Sequence, residues 1–217
     1  MKYISYPVLI VLVLLAAVEF WSAMTYAFGH FSIYKWSVCG ICAYVLVNWL
    51  PFYRKNVEFY QKTVHELIHM IVSMLFLQKL HSFHVDENGG YIHRSGRFNL
   101  PDIFIGLAPY CFPVLTYVFL FLRLFSASRM SGVFDVLIGA TLAFHISCFG
   151  TQTRLNQPDI QKQGCVRSLL FIIFFWLFNA SVILLGIRKG MFKAMGYLFA
   201  EYWETIGDFF KMICNWF

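Results

Sequence analysis

The chain has 217 residues, 59% of them hydrophobic and 13% charged, where soluble domains carry roughly 45–50% and about 25%. With a mean hydropathy of +0.65, neither a disordered chain nor a water-soluble enzyme fits, because so few polar groups could not cover that much apolar surface. The net charge of +6 does not point to nucleic acid: the 17 Lys and Arg are scattered, mostly where apolar runs end, and read as loop charges facing anionic headgroups.

A helix needs about 20 predominantly apolar residues to cross a bilayer, and six stretches qualify as candidate spans. The first, 6–28, follows Met1-Lys2 as a signal peptide would, but its apolar run is too long for a signal-peptide core and predicts a retained helix. Glu19 inside it reads as a buried polar contact or a helix-end residue. The second, 36–52, closes on Pro51 and the basic Arg54-Lys55. Its Cys39-Gly-Ile-Cys42 has redox spacing but reads as thiols facing lipid or a neighbouring helix. The third span, 57–80, carries the polar cluster taken up below.

Then comes the connector 81–100, where Asn88-Gly89-Gly90 separates Phe83-His84-Val85 from Tyr91-Ile92-His93. That pattern predicts a β-hairpin, with glycine where positive φ is needed. The fourth span, 103–125, is entered through Pro101 and interrupted by Pro109 and Pro113. The fifth, 132–150, is followed by a polar stretch, 151–164, and then by the sixth, 166–187. Past Arg188, the residues Met195, Phe199, Tyr202, Ile206, Phe209 and Ile213 recur at helical spacing, with Lys193, Glu201, Glu204, Asp208 and Lys211 on the other face. This predicts an amphipathic helix lying along the membrane surface. The expected fold is an all-α polytopic membrane protein of about six transmembrane helices, with a short β-hairpin-like connector and a C-terminal amphipathic helix. It forms a single membrane domain, divided into two N-terminal spans (1–56), a core (57–170), the last span (171–187) and the tail (188–217).

Chemistry concentrates in His65-Glu66-Leu67-Ile68-His69. Histidines at i and i+4 share a helix face, so both imidazoles can reach one metal ion. Glu66, beside them, can take a proton from a water, and zinc lowers the pKa of a water it holds toward 7. The pattern therefore points to hydrolysis. A catalytic zinc site expects a third protein ligand. His81, His84, His93, Asp102, Asp135, His145, Asp159, Glu201 and Glu204 are the downstream candidates. If spans alternate in direction, the stretch after the fifth span shares a side with the end of the histidine helix. Asp159 is then well placed, His145 is its rival, and Asp135 falls at the opposite end as a cap or snorkelling residue.

A His-Glu-x-x-His helix, a Gly-containing β-like connector, a helix opening Gly106-Leu107-Ala108-Pro109 and a later Asp together resemble the site-2-protease family of intramembrane zinc metalloproteases. The resemblance covers about residues 57–170 and is that of a small member reduced to the family's core. His65, Glu66 and His69 match its strict motif. Asn156 and Asp159 match its second motif more loosely: there an Asn and a Pro are followed some residues later by Asp-Gly, whereas here Pro158 directly precedes Asp159 and the next glycine is Gly164.

The resemblance implies a Zn2+ endopeptidase, with His65, His69 and Asp159 as ligands and Glu66 as the general base. Its substrate would be a membrane protein cleaved within or near the bilayer of a bacterial cytoplasmic membrane. It also implies that the connector around Gly89 and Gly90 binds substrate as an added strand, and that Asn156 orients the scissile backbone or braces Asp159. Two other readings stay open. One is a non-catalytic membrane metal-binding or interaction protein. The other is a membrane zincin resembling the enzymes that trim prenylated proteins, with its third ligand from Glu201 or Glu204.

Overall fold

The computed structural model describes residues 6–85, 90–95 and 102–214. In chain order the helices and strands are α1 (Tyr6–Gly29), α2 (Phe31–Asn48), α3 (Pro51–Leu75), β1 (Lys79–Val85), β2 (Gly90–Ser95), α4 (Asp102–Cys111), α5 (Val114–Arg123), a 3-10 turn (Ser128–Met130), α6 (Ser131–Gln152), α7 (Pro158–Gln163), α8 (Cys165–Lys189) and α9 (Met191–Cys214). Among the described residues four helices are long and apolar enough to cross a membrane: α1, α2, α6 with its preceding 3-10 turn, and α8. The pair α4 and α5, bent by 76°, makes a fifth if counted as one broken span. Val18, Trp21, Phe28 and Leu46 stand exposed on α1 and α2, as lipid-facing side chains would.

This is a membrane protein; four of its described helices, or five with the bent pair, have the length and apolarity of a crossing, where six were expected. The third expected span, 57–80, falls largely on α3, whose sequence carries Glu58, Lys62 and Glu66 among its apolar residues and so is not among the helices apolar enough to cross. The fourth is broken because Pro113 lacks the N–H that would continue the ladder.

Side-chain contacts fix the directions. Tyr6 meets Arg167 and Tyr26 meets Arg188, so α1 and α8 run parallel. Gly132 lies against Trp36, Gly40 against Val136 and Tyr44 against Phe144, so α2 and α6 also run parallel. His65 meets Tyr110, His69 meets Ile105 and Phe76 meets Phe104, so α3 runs antiparallel to α4. The end of α6 and the start of α8 thus share one end of the bundle, joined by α7. At the opposite end Asp135 forms a two-pronged pair with Arg123, at 2.6 and 3.3 Å. That ion pair replaces the cap or snorkelling role expected of Asp135.

The break between α4 and α5 leaves the carbonyls of Tyr110 and Cys111 without helical partners. The side chains of α8 supply them: Trp176 Nε1 donates to the Tyr110 carbonyl at 2.8 Å and Asn179 Nδ2 to that of Cys111 at 3.0 Å. Tyr117 in turn donates to Asn179 Oδ1. A buried asparagine in an apolar helix is therefore accounted for as a cap.

The C-terminal helix also departs from expectation. Gly190 takes a φ of +87°, a region open to glycine, and turns α9 back along α8. Ala194, Leu198 and Tyr202 are buried with Phe178, Val182 and Leu185 of α8 and with Ala16 and Ala23 of α1. Of the expected stripe, Tyr202 is buried and Met195 packs against this cluster, while Phe199 is exposed. The first half of α9 is part of the bundle rather than a surface-lying element.

Strands β1 and β2 pair antiparallel, with Val85 opposite Gly90, His84 opposite Tyr91 and Phe83 opposite Ile92, and with a bulge at Leu80/Ser82. Gly90 opens β2. The residues between the strands, 86–89, lie outside the described residues, and Gly89 with them.

Candidate metal centre

Among the described residues, His65, His69 and Asp159 form the one group of three or more His, Cys, Asp or Glu able to hold a metal ion, with one ligand atom from each lying within 4.8 Å of the others. His69 Nε2 and Asp159 Oδ2 are 3.4 Å apart. Two ligands about 2.0–2.1 Å from a tetrahedral zinc stand about 3.3 Å from each other, so this edge already has that length. The two rings lie 4.9 Å apart, centroid to centroid, as i and i+4 residues of one helix turn.

Both histidines have their other nitrogen committed. His69 Nδ1–H donates to the Ile105 carbonyl at 2.7 Å, and His65 Nδ1–H to Gln152 Oε1 at 2.9 Å. A carbonyl and an amide oxygen can only accept, so Nδ1 carries the proton and Nε2 keeps its lone pair for a metal. The Ile105 carbonyl is open for a reason visible in the sequence: its helical partner would be the N–H of residue 109, which is proline. Pro109 thus exposes the acceptor that orients His69.

Local structure places the third ligand. Gln157 is extended and Pro158 takes the first position of α7, where its missing N–H is harmless. Asp159 follows, and Ile160 anchors the short helix, being fully buried among Leu107, Tyr110, Phe171 and Ile172. Ser168 Oγ adds a hydrogen bond to the Ile160 carbonyl at 3.0 Å.

His145, the rival ligand, stays outside the group. It is buried, stacked on Trp176 at 5.4 Å, and faces a cavity of about 20 Å³ shared with His65 and Gln152. Glu201 and Glu204 lie on α9, and the charge acting on Glu19 of α1 is that of Glu201. The late third ligand required by a prenyl-protein-type zincin is therefore not at this centre. Asn156 sits exposed in the turn before α7, with no part in the ligand cluster. The amide at the centre is Gln152, the last residue of α6.

Glu66 and His65 open onto a cleft of about 790 Å³ between α2, α3, the end of α6 and the approach to α7. Its walls are polar. Gln61 Nε2 donates to Ser147 Oγ at 3.1 Å and Thr151 Oγ1 to Gln61 Oε1 at 2.9 Å, tying the histidine helix to α6. Such groups inside a membrane protein imply a water-filled space.

No family model matches the chain, and neither a curated protein nor a solved structure is significantly similar to it.

Proposed function

We propose that the chain is a zinc metalloendopeptidase of the membrane, hydrolysing a peptide bond of a membrane-protein substrate at the bundle end where α6 gives way to α7. The observation that carries this reading is the pairing of a three-ligand cluster with a neighbouring carboxylate, Glu66, on the wall of a polar cleft. The donor set suits zinc: two imidazole nitrogens with the proton fixed on the far side, plus one carboxylate, leaving a position for a reactant. A zinc ion held by His65, His69 and Asp159 would supply Lewis acidity, lowering the pKa of water and polarising a carbonyl.

The rest falls to the chain's own groups. Glu66, exposed to the cleft, takes the proton of the attacking water and returns it to the leaving amine. The carbonyl of Ile105 and the amide of Gln152 keep the two imidazoles turned inward. The strand pair beside α3 offers a backbone edge that can hold a substrate in extended form, the role proposed for the segment around Gly89 and Gly90. Asn156, exposed in its turn, is left without a catalytic part in this proposal.

The test is reconstitution of the purified chain in liposomes with a panel of single-span membrane proteins. Cleavage of at least one is expected, abolished by a chelator and restored by added zinc. Cleavage that survives complete removal of metal would overturn the proposal.

A further inference from the structure

Tyr110 follows directly on the proline that opens the Ile105 carbonyl. It is 1% exposed, and its hydroxyl is buried without a hydrogen-bond partner among the described residues. Folded proteins seldom leave a buried O–H unpaired, because the donor gave up water and received nothing in return. The surroundings of this one are those of the metal centre. Its ring meets that of His65 edge-on at 5.2 Å, and the charges acting on its hydroxyl are those of Asp159, then Glu66. The ring is pinned among Leu107, Ile160 and Phe171, and the residue's carbonyl is held by Trp176. A rigid donor with no acceptor among the described residues therefore lies beside the groups assigned to the chemistry.

We propose that the Tyr110 hydroxyl donates the hydrogen bond that stabilises the oxyanion formed on the scissile carbonyl. The inference rests on the hydrolytic reading of the centre. In the step, the water oxygen bonds to the carbonyl carbon, the water proton passes to Glu66 and the carbonyl π pair moves onto oxygen, where the phenolic O–H meets it. Collapse of that tetrahedral species breaks the C–N bond and Glu66 returns the proton to the amine. Tyr110 keeps its own proton throughout. Because its hydrogen bond is made only as charge develops, it favours the transition state over the bound substrate.

Tyr110→Phe removes one oxygen that none of the described residues holds. In the purified full chain the thermal midpoint should stay level or rise, and zinc content should be unchanged. Affinity of the zinc-loaded protein for methylphosphonate, a tetrahedral oxyanion used as probe, should fall about ten- to a hundredfold. For a cleaved substrate kcat should fall by a similar factor with KM unchanged. Tyr117→Phe is the control, since its hydroxyl already serves Asn179: it should lower the midpoint and leave methylphosphonate binding alone. Equal methylphosphonate affinity in wild type and Tyr110→Phe would overturn the proposal. Zinc lost along with the hydroxyl would overturn it too, making Tyr110 a prop for the ligands. A wild-type chain that takes up no zinc would instead bring down the hydrolytic reading, and this inference with it.

Discussion

Replacing Glu66 with Gln is expected to leave zinc bound and to slow hydrolysis by about a hundred- to ten-thousandfold, the usual contribution of a positioned general base. The substitution keeps the size and polarity of a half-buried side chain on the cleft wall and removes only its ability to take a proton. His65, His69 and Asp159 do not depend on it, since the partners that orient the two imidazoles are the Ile105 carbonyl and Gln152. Zinc content measured beside cleavage of a co-reconstituted single-span substrate checks both halves. Unchanged cleavage would show that Glu66 takes no proton in the reaction. A site that binds zinc but never cleaves, with either residue at 66, would favour a protein that holds metal without turnover.

The second large effect is structural. Helices α2 and α6 approach so closely at Gly40 and Gly139 that neither position has room for a methyl group. A Cβ on Gly139 would stand 1.9 Å from the Ser37 carbonyl oxygen, and one on Gly40 would stand 1.9 Å from that of Val136. The obstruction is backbone, which cannot swing aside as a side chain can, so the helices themselves would have to part. Small residues let helices pack this tightly inside a bilayer, where water provides no drive to associate. Overpacking a well-filled core usually destabilises by about 1–3 kcal/mol, and a clash with rigid backbone belongs at or above the top of that range. Gly139→Ala should therefore unfold well below wild type in detergent, and the double substitution at Gly40 and Gly139 should not yield a folded protein. Gly29→Ala, at a position with nothing within 4 Å, should behave as wild type. An unshifted midpoint for Gly139→Ala would mean that the two helices do not pack as described.

His65, Glu66 and His69 were legible in the sequence because the helical repeat alone puts i and i+4 on one face. Asp159 was legible from the order of the apolar runs, which brings the stretch after the fifth of them back toward the histidine helix. Neither inference needed the details of packing.

Gln152 is hidden in the sequence because an amide at the end of an apolar run looks like any helix-terminal polar residue, whereas Asn156 stands out three residues before Asp159. The role of Pro109 could have been found: a proline four residues after Ile105 leaves a carbonyl unclaimed, and the preceding helix carries imidazoles in need of an acceptor. The third apolar run reads as a span because His65, Glu66 and His69 stand out in it as one polar cluster, while Glu58, Lys62 and Glu66 together keep α3 from counting among the helices apolar enough to cross. The buried face of α9 is not legible from side-chain size alone. The structure buries the small Ala194 against α1 and α8, where close approach matters more than side-chain area.

The central claim is that His65, His69 and Asp159 hold one metal ion between them, and its most direct test is zinc affinity of the purified full chain and of single-site variants by equilibrium dialysis. The account predicts one zinc per wild-type chain, loss of it in His69→Ala and Asp159→Ala, and about ten- to a hundredfold weaker binding in Gln152→Ala, whose amide orients His65 without touching the metal. His145→Ala should bind as wild type does. Zinc retained by Asp159→Ala and lost by His145→Ala would contradict the account, because the third ligand would then come from α6 and the short helix carrying Asp159 would have no part in the centre.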